Sequence, residues 1–176
     1  ARIEAGAIGQ VRAVESSFGL RITGETGRHR ELALAGGALL DLGIYPVALT
    51  RFLLGPPTEV KAIGQLGPTG VDVNLGAVLG HADGAISVFH TGLDALTTLT
   101  ATITGTEGTI AVDAPFWCPT AATLRRHDGV VERIEAPHRG LAHEAEHAMA
   151  CLRAGRTESD VIPLAESVAM LETLDE

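Results

Sequence analysis

The stretch GGALLDLGIYPVALTRFLL, Gly36–Leu54, is an apolar helical run interrupted by two charges, Asp41 and Arg51. It ends at Gly55-Pro56-Pro57, a strong stop signal because proline cannot continue the hydrogen-bond ladder. Pro46 donates no backbone hydrogen bond and disfavours the helical region for Tyr45 before it. The expected result is a break at Tyr45, with Pro46 opening a helix over Val47–Leu54.

Beyond that stop the pattern changes. Glu59–Leu66, Asp72–Gly80, Ala85–Leu93, Leu96–Gly105 and Thr109–Val112 are short and rich in Val, Ile and Thr, with Gly and Asp between them. They read as successive antiparallel strands. Thr123–Arg126 and Val130–Ala136 flank Asp128-Gly129 and read as one more hairpin. The tail returns to helix over His143–Ala154 and Leu164–Leu174, the latter after Pro163. Upstream, Ala1–Gly6 reads as a helix end capped by Gly6, Gln10–Leu20 as a strand in which Val11, Ala13 and Phe18 are spaced for a sheet rather than a helix stripe, and Thr23–Arg30 as loop. Strand, helix, strands, helices describes an α+β fold: a largely antiparallel, open-faced sheet with helices packed on one face.

Composition limits the partners. A net charge of −9 with 3% aromatic residues leaves neither the basic face nor the stacking rings that a nucleic-acid surface requires. Asp41 and Arg51 interrupt the apolar run, so no membrane span is expected. Cys118 and Cys151 are far apart and read as reduced thiols of a cytoplasmic protein. No two glycines stand two residues apart, so the dinucleotide fingerprint G-x-G-x-x-G is missing, and a lone lysine in a strand pattern, Lys61, makes no phosphate loop.

Asp41 is a lone carboxylate among apolar neighbours, and in a helix Tyr45 would share its face. Two readings stand side by side. The pair converges on a ligand at a helix junction, or Asp41 balances a helix end while Tyr45 packs as a half-buried ring.

The segment Gly36-Gly37-Ala38-x-Leu40-Asp41-x-Gly43-x-Tyr45 resembles the signature of the Gfo/Idh/MocA oxidoreductases, G-G-G-x-L-x-D-x-G-x-H/Y, in their C-terminal domain. It departs at Ala38, which replaces the third glycine, and in having Asp41 directly after Leu40, where the pattern leaves one residue between. Tyr45 stands where many members carry histidine, and the tyrosine resembles the dihydrodiol dehydrogenase and glucose–fructose oxidoreductase branches. Gly6–Val11, Gly105-Thr106-Glu107-Gly108, Gly140 with Glu144, and Leu152–Gly155 resemble further landmarks of that domain in the same order. The resemblance implies hydride transfer between NAD or NADP and a secondary alcohol or ketone of a sugar, polyol or diol. Tyr45 would be the general acid/base and Asp41 the residue that orients substrate or tunes Tyr45. It also implies a Rossmann domain and an active-site lysine upstream of Ala1. Residues 1–176 would then be the substrate-binding, catalytic and dimerisation half, inactive by itself.

Two further expectations follow. His143-Glu144-Ala145-Glu146-His147 matches the zinc-peptidase pattern H-E-x-x-H, with Glu166 as a conceivable third ligand. The metzincin extension fails at Ala150 and Arg153, so no metal is expected and an exposed helix start is the plainer reading. His29, His81, His90, His127 and His138 read as surface or packing residues. The uncharged strands Ala85–His90 and Leu96–Thr104 suit a face-to-face contact, so a homodimer or higher homo-oligomer through the sheet is expected. Without its partner half the chain would serve as a non-catalytic binding or dimerisation module.

Overall fold

The computed structural model describes residues 2–24, 27–136 and 140–176, and Ala1, Glu25, Thr26, Pro137, His138 and Arg139 lie outside the described residues. Eight strands form one sheet: β1 (Val11–Gly19), β2 (Pro57–Leu66), β3 (Asp72–His81), β4 (Ile86–Gly92), β5 (Ala101–Gly105), β6 (Gly108–Val112), β7 (Ala121–Arg126) and β8 (Val131–Glu135). Their order is β2-β3-β4-β1-β5-β6-β7-β8. Only β1 and β4 run parallel; the other neighbours are antiparallel.

The alternation of each strand sets two unlike faces. On β4, Ser87, Phe89 and Thr91 are buried while Ile86, Val88 and His90 face outward. Val14 pairs with Ser87 on one side and Ile103 on the other, continuing the buried row across the sheet. The register shifts between Val11 and Ala13, and Val14 and Phe18 are the buried residues of β1.

Three helices, α1 (Ile44–Leu54), α2 (Ala142–Arg153) and α3 (Leu164–Asp175), complete the chain. Val47 of α1 packs with Ala77, Leu79 and Phe89 of the sheet and with Met170 and Leu174 of α3. Leu49, Leu53 and Leu54 pack on Val14, Ile103, Ile110 and Leu124. Full burial of a side chain such as Val47 contributes about 1.5–3 kcal/mol, so the α1 stripe holds the helix on the sheet. By contrast α2 buries only Cys151.

Two expectations about elements are corrected. The strand expected over Leu96–Gly105 begins only at Ala101. Because β1 lies between β4 and β5, the chain leaving β4 must cross the end of β1 before it can pair. It crosses at Gly19, where any side chain would meet Thr97 Cγ2 at 2.6 Å, and Leu99 adopts a left-handed φ of 59° on the way.

The helix does not break at Tyr45. Leu39–Gly43 form a π-turn that runs straight into α1. In a regular helix the Pro46 ring would press on the Leu42 carbonyl four residues back, and the wider turn ahead of it relieves that clash. By length and composition Leu32–Leu54, with mean hydropathy 1.7, reaches what a membrane-spanning helix needs, contrary to the reading from its two charges. Its first part is short 3-10 turns around Ala35 at φ 54° and Gly37 at φ 121°, and α1 buries Pro46, Val47 and Thr50 in the core.

Candidate active site

The π-turn is placed by three contacts. The Asp72 carboxylate accepts the Leu39 N–H at 2.7 Å, capping the turn from β3. A side chain at Gly37 would lie 2.1 Å from Asp72 Oδ1, and Gly37 also holds a positive φ, so the second glycine of the motif lets the cap approach. The buried Thr91 hydroxyl lies 2.9 Å from the Phe18 carbonyl and 3.2 Å from that of Ala38, tying the helix entry to β1 and β4.

Asp41 does not cap a helix. The Arg28 guanidinium donates to Asp41 Oδ1 at 2.8 Å, and His29 Nδ1 lies 2.9 Å from Oδ2. A carboxylate only accepts, so His29 donates from Nδ1. Arg28 and His29 come from a 3-10 turn inside the expected loop. His29, expected as a surface or packing residue, is therefore a partner of Asp41. The signal available in the sequence was a basic triplet, Arg28-His29-Arg30, ahead of a lone carboxylate.

Tyr45 sits in the first turn of α1 and is 42% exposed. Its ring meets Phe18 edge-on at 5.1 Å and Trp117 at 5.9 Å. Phe18 and Trp117 stack at 3.7 Å, and Phe116 stands edge-on to Trp117 at 5.4 Å. In a chain with 3% aromatic residues this clustering marks a wall built for contact. None of Phe18, Phe116 and Trp117 was singled out as a site residue by the sequence. Tyr45 opens on a cavity of about 830 Å³ shared with Phe52, Phe116, Trp117, Ile162 and Met170. No hydrogen bond to the Tyr45 hydroxyl exists among the described residues, and none joins it to Asp41. The two motif residues thus lie on one helical segment but in different surroundings: Asp41 is anchored, and Tyr45 has a free hydroxyl beside an aromatic wall.

The zinc-peptidase set does not assemble. Arg51 holds Glu166 with two bonds, Nε to Oε1 at 2.7 Å and Nη2 to Oε2 at 3.2 Å, and this ion pair lowers the Glu166 pKa. His143 and His147 line a common groove, but His147 Nε2 faces Ser159, Cys151 and Asp160 rather than a glutamate.

Comparison with known proteins follows the same geometry. Residues 1–111 match the family model described as the GFO/IDH/MocA C-terminal domain. The trans-1,2-dihydrobenzene-1,2-diol dehydrogenase of Oryctolagus cuniculus is 34% identical over 97% of this chain and 55% of its own length. The Homo sapiens enzyme of that name is 32% identical over 97% of this chain and 54% of its own. An aldose-aldose oxidoreductase from Caulobacter crescentus, solved with glycerol, superposes with a TM-score of 0.86 at 22% identity, over 99% of this chain and 54% of that one. A 3-ketoreductase from Actinomadura kijaniata, solved with NADP and TDP-benzene, gives 0.80 at 21% identity, over 99% and 55%. The chain belongs to the Gfo/Idh/MocA family, as its C-terminal domain. It spans about half the length of the curated relatives it matches.

Proposed function

We propose that this chain is the substrate-facing half of an NAD(P)-dependent oxidoreductase acting on a secondary alcohol or ketone of a sugar, polyol or diol. The observation that carries this reading is Tyr45, an exposed phenol with no hydrogen-bond partner among the described residues, backed by Phe18 and Trp117. A phenol poised against an apolar wall fits the reacting end of such a site. When bound, the nicotinamide accepts or supplies the hydride. In oxidation Tyr45, acting as the phenolate, takes the hydroxyl proton as the carbonyl forms; in reduction the phenol returns that proton to the carbonyl oxygen. The aromatic wall excludes water from one side of the reacting carbon. Asp41, fixed by Arg28 and His29, positions the helix entry and hence Tyr45.

The grip on the dinucleotide is assigned to residues beyond the 176 of this chain, because these contain no phosphate-cradling glycine pattern. Two free thiols, Cys118 and Cys151, support a cytoplasmic setting. The open sheet face, with Ile86 47%, Val88 42% and Val78 44% exposed, supports a homodimer, which light scattering would reveal as a doubled mass. The functional test uses the protein that carries its cofactor-binding half. Reduction of NAD or NADP should follow addition of a vicinal diol or a sugar. No turnover across a panel of polyols and sugars with both nucleotides would instead make this a non-catalytic module.

A further inference from the structure

We propose that His147, Cys151 and Asp160 form a site for a borderline-soft divalent cation, with zinc the best chemical fit. This site is separate from Tyr45 and does not rest on the proposed oxidoreductase activity. His147 and Cys151 stand four residues apart on α2, which puts both on one helix face. Asp160 comes from the loop before α3. The His147 Nε2 lies 3.4 Å from Cys151 Sγ and 3.4 Å from Asp160 Oδ1. The three ligand atoms all lie within 4.8 Å of one another. Ligands on a tetrahedral zinc are separated by about 3.3–3.7 Å, so two of the three spacings already fit and the third needs only a small closure. Asp160 is 66% exposed, in an ion pair with Arg156, and lies on a loop that can make it.

The orientation of His147 separates a metal site from a nucleophilic triad. In a triad the cysteine and the carboxylate engage opposite ring nitrogens. Here both face the same Nε2, so the donors converge on a point. Ser159 Oγ accepts the N–H groups of Val161 at 3.0 Å and Ile162 at 3.1 Å. Its own proton is therefore directed at His147 Nε2, 2.9 Å away. Nε2 is therefore the unprotonated nitrogen, the form of imidazole that binds metals, and a cation would take its lone pair in place of the Ser159 hydroxyl. Arg156 donates to Asp160 Oδ1 at 2.7 Å, and a carboxylate oxygen has lone pairs for both the guanidinium and a cation. Cys151 is buried, and a thiolate there is stabilised only by a positive partner, which a cation supplies. The mixed N, S and O donor set disfavours calcium and magnesium. The groove in front of the cluster, about 760 Å³, leaves the fourth position to water.

Such an ion would clip α2, which otherwise buries only Cys151, to the loop leading into α3. The test is a cobalt(II) titration of the purified chain followed by displacement with zinc. The expected result is a thiolate-to-cobalt charge-transfer band, bleached by zinc and absent in Cys151→Ser. Asp160→Asn, at an exposed position that does not threaten folding, should weaken binding at least about tenfold, whereas His143→Ala should leave it within about threefold. Cobalt binding without a thiolate band would overturn the proposal, as would unchanged affinity in Asp160→Asn. Loss of binding in His143→Ala with retention in Cys151→Ser would do so too, by moving the ion to the H-E-x-x-H pair. Absence of binding at millimolar cobalt would equally end it.

Discussion

His29 Nδ1 lies 2.9 Å from Asp41 Oδ2, so the carboxylate of the family motif is anchored to the turn that precedes it. With Arg28 on the other oxygen, both carboxylate oxygens are held by that turn. His29→Ala and Asp41→Ala should therefore be non-additive in chemical denaturation, with a coupling of about 0.5–3 kcal/mol in a double-mutant cycle. Additivity within about 0.3 kcal/mol would remove the anchoring role.

The Arg51–Glu166 pair joins α1 to α3, and Arg51 also donates to Thr173 Oγ1 at 3.1 Å. The Arg51 side chain is 7% exposed and Glu166 38%, so removing the carboxylate strands a mostly buried cation while leaving a half-exposed position to water. Glu166→Gln should cost about 1–2 kcal/mol of stability, after discounting for the exposed partner. Its consequence should be local: hydrogen exchange should quicken in α3 and not in β5–β7.

His81 offers a pH signature. It is 5% exposed, and burial, reinforced by the nearby Arg51 charge, lowers its pKa below the ordinary imidazole value. The unfolded chain takes up this proton near pH ~6.5, while the folded chain resists it until lower pH. Stability is thus full above that range and falls as pH drops from there to the lowered folded value. The fall in melting temperature between pH 7 and pH 5 should be shallower in His81→Gln. An identical slope in both proteins would assign the acid sensitivity elsewhere.

The strands were legible because Val, Ile and Thr alternate through them, as in Ile86–Gly92. Their order was less so. The insertion of β1 between β4 and β5 is a long-range pairing that no local periodicity encodes, and it delays the strand expected from Leu96 until Ala101. The π-turn at Leu39–Gly43 was also hidden, since apolar spacing reports which face is buried but not the width of the ladder. At the site, Asp41 and Tyr45 were readable as a carboxylate and a phenol in an apolar run. Their surroundings were not: His29 meets Asp41 from a turn twelve residues upstream, and Trp117 meets Tyr45 from a segment far along the chain.

The central claim is that Tyr45 exchanges the substrate proton. Its hydroxyl holds nothing in place among the described residues, so Tyr45→Phe should leave folding intact and remove only the proton. The most direct measurement is steady-state kinetics of Tyr45→Phe in the protein that carries its cofactor-binding half, alongside nucleotide affinity. The account predicts that kcat falls by at least about 100-fold while nucleotide Kd stays within about threefold. A kcat within about threefold of the unmodified protein would contradict it.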